Sequence, residues 1–540
     1  MGRGHSRRGP FGVDCPSRFS GSSRVTKAIR NIVIVGGGSA GWLTAAVLAA
    51  RYRPVEQGGL RITLIESPDV APIGVGEGTW PTMRDTLREA GVSETAFFRS
   101  CDAAFKQGSR FDRWVTGADG DRYFHPFSLP QGYGEADLAH HWQRHHADLP
   151  FADLVSHQPH LCVAGRAPKQ ASTPEFAAVA NYGYHLDAGK FGVFLRTHCL
   201  EKLGVHYVPD HVTGIRSHDN GDIAALHTRA HGDLEGDLFV DCTGMQSMLL
   251  GKHYGIPFLS QRHVLFNDSA LAVQVPYARE DEPIASQTTS TAQRAGWIWD
   301  IGLPSRRGVG HVYSSAHTTD DEAERALRAY LGGSGAGADI PAPRKLSFQP
   351  GYREKFWHRN CVAIGLSAGF IEPLEASALA LVELSAAMLA DQMPATRAQV
   401  DAAAGRFNDT FTYRWERVID FLKLHYVLSR REDSDYWRDN RHADSIPGRL
   451  ADLLLLWRHR PPSRYDINRI QEVFPAASYQ YVLYGMGLRH EPGPAPRHDD
   501  AQLADGFLRD AASLTRRMLP ALPDNRALID HIRRHGLQQR

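Results

Sequence analysis

N-I-V-I-V-G-G-G-S-A-G-W, residues Asn31 to Trp42, is the stretch from which the rest of the chain can be read. Ile32 to Val35 is a run of β-branched residues, the composition of a short buried strand. Gly36, Gly38 and Gly41 then fit the pattern G-x-G-x-x-G, and Trp42 to Ala50 is rich in Ala and Leu, which favour helix. A second strand-like run, Arg61 to Ile65, ends at Glu66. Strand, glycine turn, helix and strand together make a dinucleotide-binding unit. The first glycine permits the tight turn, the second lets backbone approach a pyrophosphate, and the third packs helix against strand. Amides at the helix start, around Ser39 and Ala40, would hold phosphates, and Glu66 is placed to accept a hydrogen bond from a ribose hydroxyl.

That motif serves NAD and FAD alike. Two later segments favour FAD. Leu238 to Gly244 is an apolar strand ending in an acidic-small-small-Gly turn, with Asp241 and Gly244 at its corners. Cys361 to Gly369 is another strand and glycine turn, with Gly365 and Leu366 at the bend. Flavoproteins of the hydroxylase type return to the dinucleotide sheet in this way and place the late turn beside the isoalloxazine ring. The expected fold is therefore α/β, a Rossmann-like FAD-binding fold of the hydroxylase type with an interleaved substrate region. No second G-x-G-x-x-G unit is evident, so electrons should arrive from outside.

The 540 residues are 42% hydrophobic and 22% charged, with a net charge of +1, so the chain can bury a large core and shows no global bias toward nucleic acid or membrane. No apolar run reaches the roughly 18 residues of a membrane span. The six cysteines, Cys15, Cys101, Cys162, Cys199, Cys242 and Cys361, have no metal or redox spacing and read as free thiols of a cytoplasmic protein. Residues 1–30 carry seven Lys and Arg against one Asp among Gly and Ser, and read as a basic disordered leader. Residues 31–400 are assigned to the FAD module with its substrate region. Residues 401–540 form a mostly helical substrate-side part, with Pro492 to Pro496 as a short linker.

Over this frame the sequence resembles the flavin-dependent tryptophan halogenases. The matching segments are Ile73-Gly74-Val75-Gly76-Glu77-Gly78-Thr79-Trp80-Pro81, Ala104-Phe105-Lys106-Gln107-Gly108, Gly296-Trp297-Ile298-Trp299-Asp300-Ile301 and Phe370-Ile371-Glu372-Pro373-Leu374-Glu375, in the family's order. The resemblance implies a two-component enzyme. A partner flavin reductase supplies reduced FAD, oxygen and chloride or bromide yield hypohalous acid, and this passes through a tunnel to a lysine beside an electron-rich arene, usually an indole. Glu375 matches the catalytic glutamate, Val75 falls in the cofactor loop, and Trp297 and Trp299 match the flavin-side signature.

Three positions depart from the family as read from these segments. Placing the family lysine four residues after Pro81 puts Asp85 there, an acid suited to the first turn of a helix and to an ion pair with Arg88. The halide-binding amides fall at Ser377 and Ala378, where a Cβ stands in place of glycine and would oppose a positive φ. Gly302 replaces the signature proline.

Without its lysine the chain would suit a second reading, a flavin monooxygenase or oxidase working without halide, and a third is a non-catalytic FAD-binding module. His140, His141, His145 and His146 share one probable helix and are expected to form a solvated face with no metal. Trp415, Tyr436, Trp437 and Trp457 are expected either to line an aromatic pocket or to be core. A peptide- or carrier-bound aromatic is an alternative substrate, and a homodimer is compatible with the sequence.

Overall fold

The computed structural model describes residues 27–70, 76–333, 340–467, 469, 472–492 and 500–539. Its central sheet has six strands in the order Trp357–His358, Cys361–Ala363, Leu238–Asp241, Asn31–Val35, Arg61–Glu66 and His206–Pro209. All neighbours are parallel except the short Trp357–His358 edge. Parallel strands covered on both faces must be apolar throughout, and Ile32, Val33, Ile34, Leu64, Phe239, Val240 and Val362 are all buried. The late return of the chain expected for a flavoprotein is thus met twice, by strands Leu238–Asp241 and Cys361–Ala363.

Helix Ser39–Arg51 lies on this sheet between helices Ala188–Lys202 and Ser377–Asp391. Gly41 allows the close approach: a Cβ there would sit 1.9 Å from the carbonyl oxygen of Gly36.

A second sheet of seven strands runs Arg344–Ser347, Ser269–Pro276, Arg306–Tyr313, Gly296–Gly302, Thr288–Gln293, Gly108–Asp112 and Arg122–Pro126. Its period-two alternation separates two environments. Trp297, Trp299 and Ile301 face the cavity described below, while Ile298 packs with Leu271, Val273 and Leu327 beneath helix Asp320–Gly333. A small sheet, Gly76–Gly78, Gly183–Asp187 and Ala104–Lys106, bridges the two larger ones.

Two boundaries differ from the sequence reading. Lys27 to Arg30 are tied down: Lys27 pairs with Asp237 at 2.9 Å, the Arg30 and Asn31 amides donate to the same carboxylate, and Ile29 donates to the Ala395 carbonyl. The remainder of the expected leader, residues 1–26, lies outside the described residues, as do Val75 and most of the 492–496 linker. The division expected at residue 400 falls inside the 31-residue helix Arg397–Val427, opened by a capping box between Thr396 and Gln399. Among the described residues no helix is long and apolar enough to cross a membrane.

Replacing Gly41 by Val forces a side chain into backbone, so it should lower unfolding free energy by about 3 kcal/mol. Urea unfolding of the purified variant checks this, and an unchanged midpoint would refute the packing role.

Candidate active site

One cavity of about 1160 Å³ runs from the glycine turn to Glu375. At its first end stand Gly36, Gly38, Ser39 and Ala40, with Glu66, Gly244, Gly365 and Leu366 around them. Helix Ser39–Arg51 begins at Gly38 with no side-chain cap, which leaves its first amides free for an anion. A Cβ on Gly38 would meet no protein atom within 4 Å, so this glycine keeps space open for a ligand. Glu66 lies across Gly37 and accepts from Tyr207 Oη at 3.2 Å, and burial raises its pKa. Uncapped amides, an acid beside them and an elongated apolar cavity fit the pyrophosphate, ribose and ring of FAD.

Asp241 differs from expectation. It does not line the cavity; its buried carboxylate accepts from the amides of Thr243, Leu249 and Leu250 at 2.9–3.0 Å and so ties down the turn that presents Gly244. Gly41 likewise serves packing and does not line the cavity.

At the far end the cavity is lined by Lys106, Ser109, Trp297, Trp299 and Glu375. Glu375 is 6% exposed, and its carboxylate is held by His125 Nδ1 at 2.7 Å and Ser109 Oγ at 3.1 Å. Ser109 and His125 are cross-strand partners, so one rung of the large sheet supplies both donors. His125 Nε2 in turn meets Ser478 Oγ at 2.9 Å. His425 stands 3.6 Å from Glu375, its other nitrogen 2.6 Å from Tyr123 Oη, and burial pushes its pKa down to about 3, leaving it neutral. Burial alone would raise the Glu375 pKa, but His125, by charge and by hydrogen bond, outweighs it and holds the carboxyl below its usual range.

The Glu375 backbone is equally constrained. Glu375 and Ala376 both have positive φ, 62° and 55°, and the indole N–H of Trp80 grips the Glu375 carbonyl at 2.8 Å. Consecutive left-handed residues other than glycine cost about 1–3 kcal/mol each and persist only where the surroundings impose them.

Lys106 is fully buried, and its ammonium nitrogen has no hydrogen-bond partner among the described residues. It faces the ring of Phe127 at 5.4 Å. Desolvation lowers its pKa to about 8 even though Glu375 pulls the other way.

An amine of lowered pKa and a pinned carboxylate thus share one end of a cavity whose other end fits FAD. The family described as tryptophan halogenase matches residues 31–499. The chain belongs to the tryptophan halogenase family. It is 33% identical over 515 residues to the 7-chloro-L-tryptophan 6-halogenase KtzR of Kutzneria sp. (strain 744), covering 91% of this chain and 98% of that one. The solved structure of tryptophan halogenase from Shewanella frigidimarina NCIMB 400 is 50% identical, with a TM-score of 0.91 over 95% of this chain and 99% of that one. That of BrvH, a flavin-dependent halogenase from Brevundimonas sp. BAL3, is 33% identical, with a TM-score of 0.81 over 93% of this chain and 99% of that one. The protein is an enzyme of this flavin-dependent family.

The structure places Asp85 and Lys106 differently with respect to the cavity. Asp85 does not reach the cavity: it is 62% exposed on helix Thr82–Glu89 and pairs with Arg88 at 2.6 Å, the local ion pair its spacing allowed. The amine in the cavity is Lys106, carried by strand Ala104–Lys106. A lysine ending the apolar run Ala103-Ala104-Phe105 was the available signal. His125 carried no such signal, because strand Arg122–Pro126 is buried on both faces from Tyr123 onward.

Ser377 and Ala378 do line the cavity and open helix Ser377–Asp391, which has no side-chain cap, so their amides remain available to a small anion. Ala378 lies within the helix and needs no positive φ; the left-handed positions fall at Glu375 and Ala376 instead. Trp415 lines the cavity wall, whereas Tyr436, Trp437 and Trp457 are buried away from it.

Gly38→Val should fold normally yet bind FAD at least about 100-fold more weakly, because the side chain fills the phosphate space without touching protein. Flavin fluorescence titration with a circular dichroism control measures both; wild-type affinity would remove Gly38 from the site.

Proposed function

We propose that this protein halogenates an electron-rich, indole-type aromatic, using chloride or bromide, oxygen and FAD reduced by a separate reductase. The observation that carries this reading is Lys106, an unpaired buried amine in the same cavity as Glu375. FAD, when bound to the glycine turn, would supply the oxygen activation that converts halide to hypohalous acid. The amides of Ser377 and Ala378 would hold the halide, and Trp297 and Trp299 would wall the path between the two ends of the cavity.

Neutral Lys106 would attack the halogen of hypohalous acid with its Nζ lone pair, breaking the oxygen–halogen bond and releasing water as the amine proton joins the departing hydroxide, a task for which an amine lowered to about 8 is suited. The arene carbon attacks that halogen, the carbon–halogen bond forms as the nitrogen–halogen bond breaks and returns its electron pair to Lys106, and the ring proton passes to Glu375, whose lowered pKa keeps it ionised to receive it. His125 and Ser109 fix the carboxylate for that transfer. Beyond Glu375 the rings of Trp80, Phe474, Phe421 and His125 lie within 3.8–6.4 Å of one another in successive pairs and form a packed aromatic cluster that supports the His125–Glu375 contact. Oxygenation without halide remains the reading that Asp85 at the family lysine position favours, and Lys106 in the cavity supports halogenation against it. The five buried free thiols among the described residues suit a reducing cytoplasm.

With purified enzyme, FAD, a flavin reductase, NADH and bromide, mass spectrometry of an indole panel should show brominated product. Lys106→Met should abolish that product while leaving flavin binding intact. Glu375→Gln should reduce turnover by about 10²–10⁴-fold, and Asp85→Ala should leave it within about two-fold. Oxygenated product in a halide-free control, or unaltered turnover in Lys106→Met, would overturn the proposal.

The lowered Lys106 pKa sets a pH dependence. A cation with a depressed pKa is neutral above that value, so about one-tenth of Lys106 is neutral at pH 7, roughly 300-fold more than for an ordinary lysine. Labelling of Lys106 by an amine-selective reagent, followed by peptide mass spectrometry, should rise about ten-fold per pH unit and level off above about 8. A midpoint near 10.5 would show that burial does not depress this amine.

A further inference from the structure

Helix Leu138–His145 carries a run of histidines on its last turns, and the fold gives them unequal surroundings. His140 is paired with Asp137 at 2.7 Å. His141 is 2% exposed, and its Nε2 meets Asp505 Oδ1 at 2.8 Å, a contact between residues 364 positions apart in the chain. Its Nδ1 is buried and has no hydrogen-bond partner among the described residues. His146, the residue that ends the helix, turns its ring to within 5.6 Å of that of His141. One nitrogen from each histidine and one oxygen of Asp505 lie within 4.8 Å of one another.

Two imidazoles and a carboxylate are a donor set for zinc-class ions, which bind nitrogen and oxygen at about 2.0–2.2 Å. Tetrahedral coordination needs donors about 3.4 Å apart. Contraction from 4.8 Å is a side-chain movement, and two of the three groups can make it: Asp505 is 47% exposed and His146 is half-buried at a helix end. His141 is the fixed member, set in the core beside Trp142. Asp505 already meets Nε2, so an ion shared with Asp505 takes the lone pair of that nitrogen in place of the hydrogen bond, and the ring proton resides on Nδ1. The solvent side is open to a fourth ligand, water or the exposed His145, whose ring centre is 4.8 Å from that of His141.

We propose that His141, His146 and Asp505 bind one divalent transition-metal ion of the zinc class, which pins the C-terminal helix Ala501–Ala521 to helix Leu138–His145. None of the three lines the cavity that holds Lys106 and Glu375, so the ion's role is structural and independent of the halogenation reading. A site of this kind joins residues distant in sequence and stabilises the folded state by mass action, because the donors converge only when the two helices dock.

The test uses full-length protein without a histidine tag, stripped with a chelator and titrated with Co²⁺ alone as a coloured stand-in for Zn²⁺. A visible d–d band saturating at one equivalent is expected, with displacement by Zn²⁺ and a Zn²⁺-induced rise in Tm of about 2–4 °C. His146→Ala and Asp505→Asn both keep the buried His141, so they should fold, yet bind Co²⁺ about ten-fold or more weakly and lose the Tm rise. Absence of a saturable band in the wild type, or equal binding by both variants, would overturn the site.

Discussion

A carboxylate taken out of water has to be given its hydrogen bonds by the protein, and the architecture around Glu375 follows from that constraint. Its donors come from the Ser109–His125 rung of the seven-stranded sheet, while its backbone belongs to the loop that leaves the dinucleotide sheet after Cys361–Ala363. The two sheets can meet there only because the loop adopts two consecutive left-handed residues, Glu375 and Ala376, with Trp80 clamping the carbonyl between them. Local strain and long-range hydrogen bonding are two sides of one arrangement. Loss of the His125 or Trp80 contact would leave a buried charge or an unsupported backbone.

The same constraint explains the contrast between Lys106 and Lys169, another buried lysine. Lys169 donates to Glu94 at 3.0 Å and to the Pro174 carbonyl at 2.8 Å, a satisfied structural ion pair. Lys106 is as deeply buried but has no such acceptor, and desolvation draws it toward the neutral amine. Several buried arginines also keep a nitrogen without a partner among the described residues, but Lys106 combines that state with a place on the cavity wall. That combination is what makes it the candidate amine of the proposed reaction.

The dinucleotide end is governed by sterics more than by charge. Gly41 brings helix Ser39–Arg51 against the turn, and Gly38 leaves the space before it empty; these two glycines, three residues apart, have opposite surroundings. Asp241 belongs to this framework as a brace. Its carboxylate gathers the amides of the following turn, which sets Gly244 at the cavity wall.

The amino-acid sequence by itself determined the dinucleotide unit, its FAD-like return strands, the glutamate and the tryptophan pair, because each is a local pattern. Glycine spacing, strand periodicity and a strand-to-turn junction are set by the backbone within about ten residues. Which side chain reaches the cavity was a different kind of question. Asp85 and Lys106 both lie near family-like segments, and only the folding of Ala104–Lys106 into the bridging sheet, with Asp85 turned to solvent on its helix, separates them. His125, His425 and Ser109 reach Glu375 across 250, 50 and 266 residues of chain, beyond any local pattern. The reason is physical: burial, hydrogen-bond partnership and pKa belong to the three-dimensional surroundings of a side chain, and those are decided by tertiary packing.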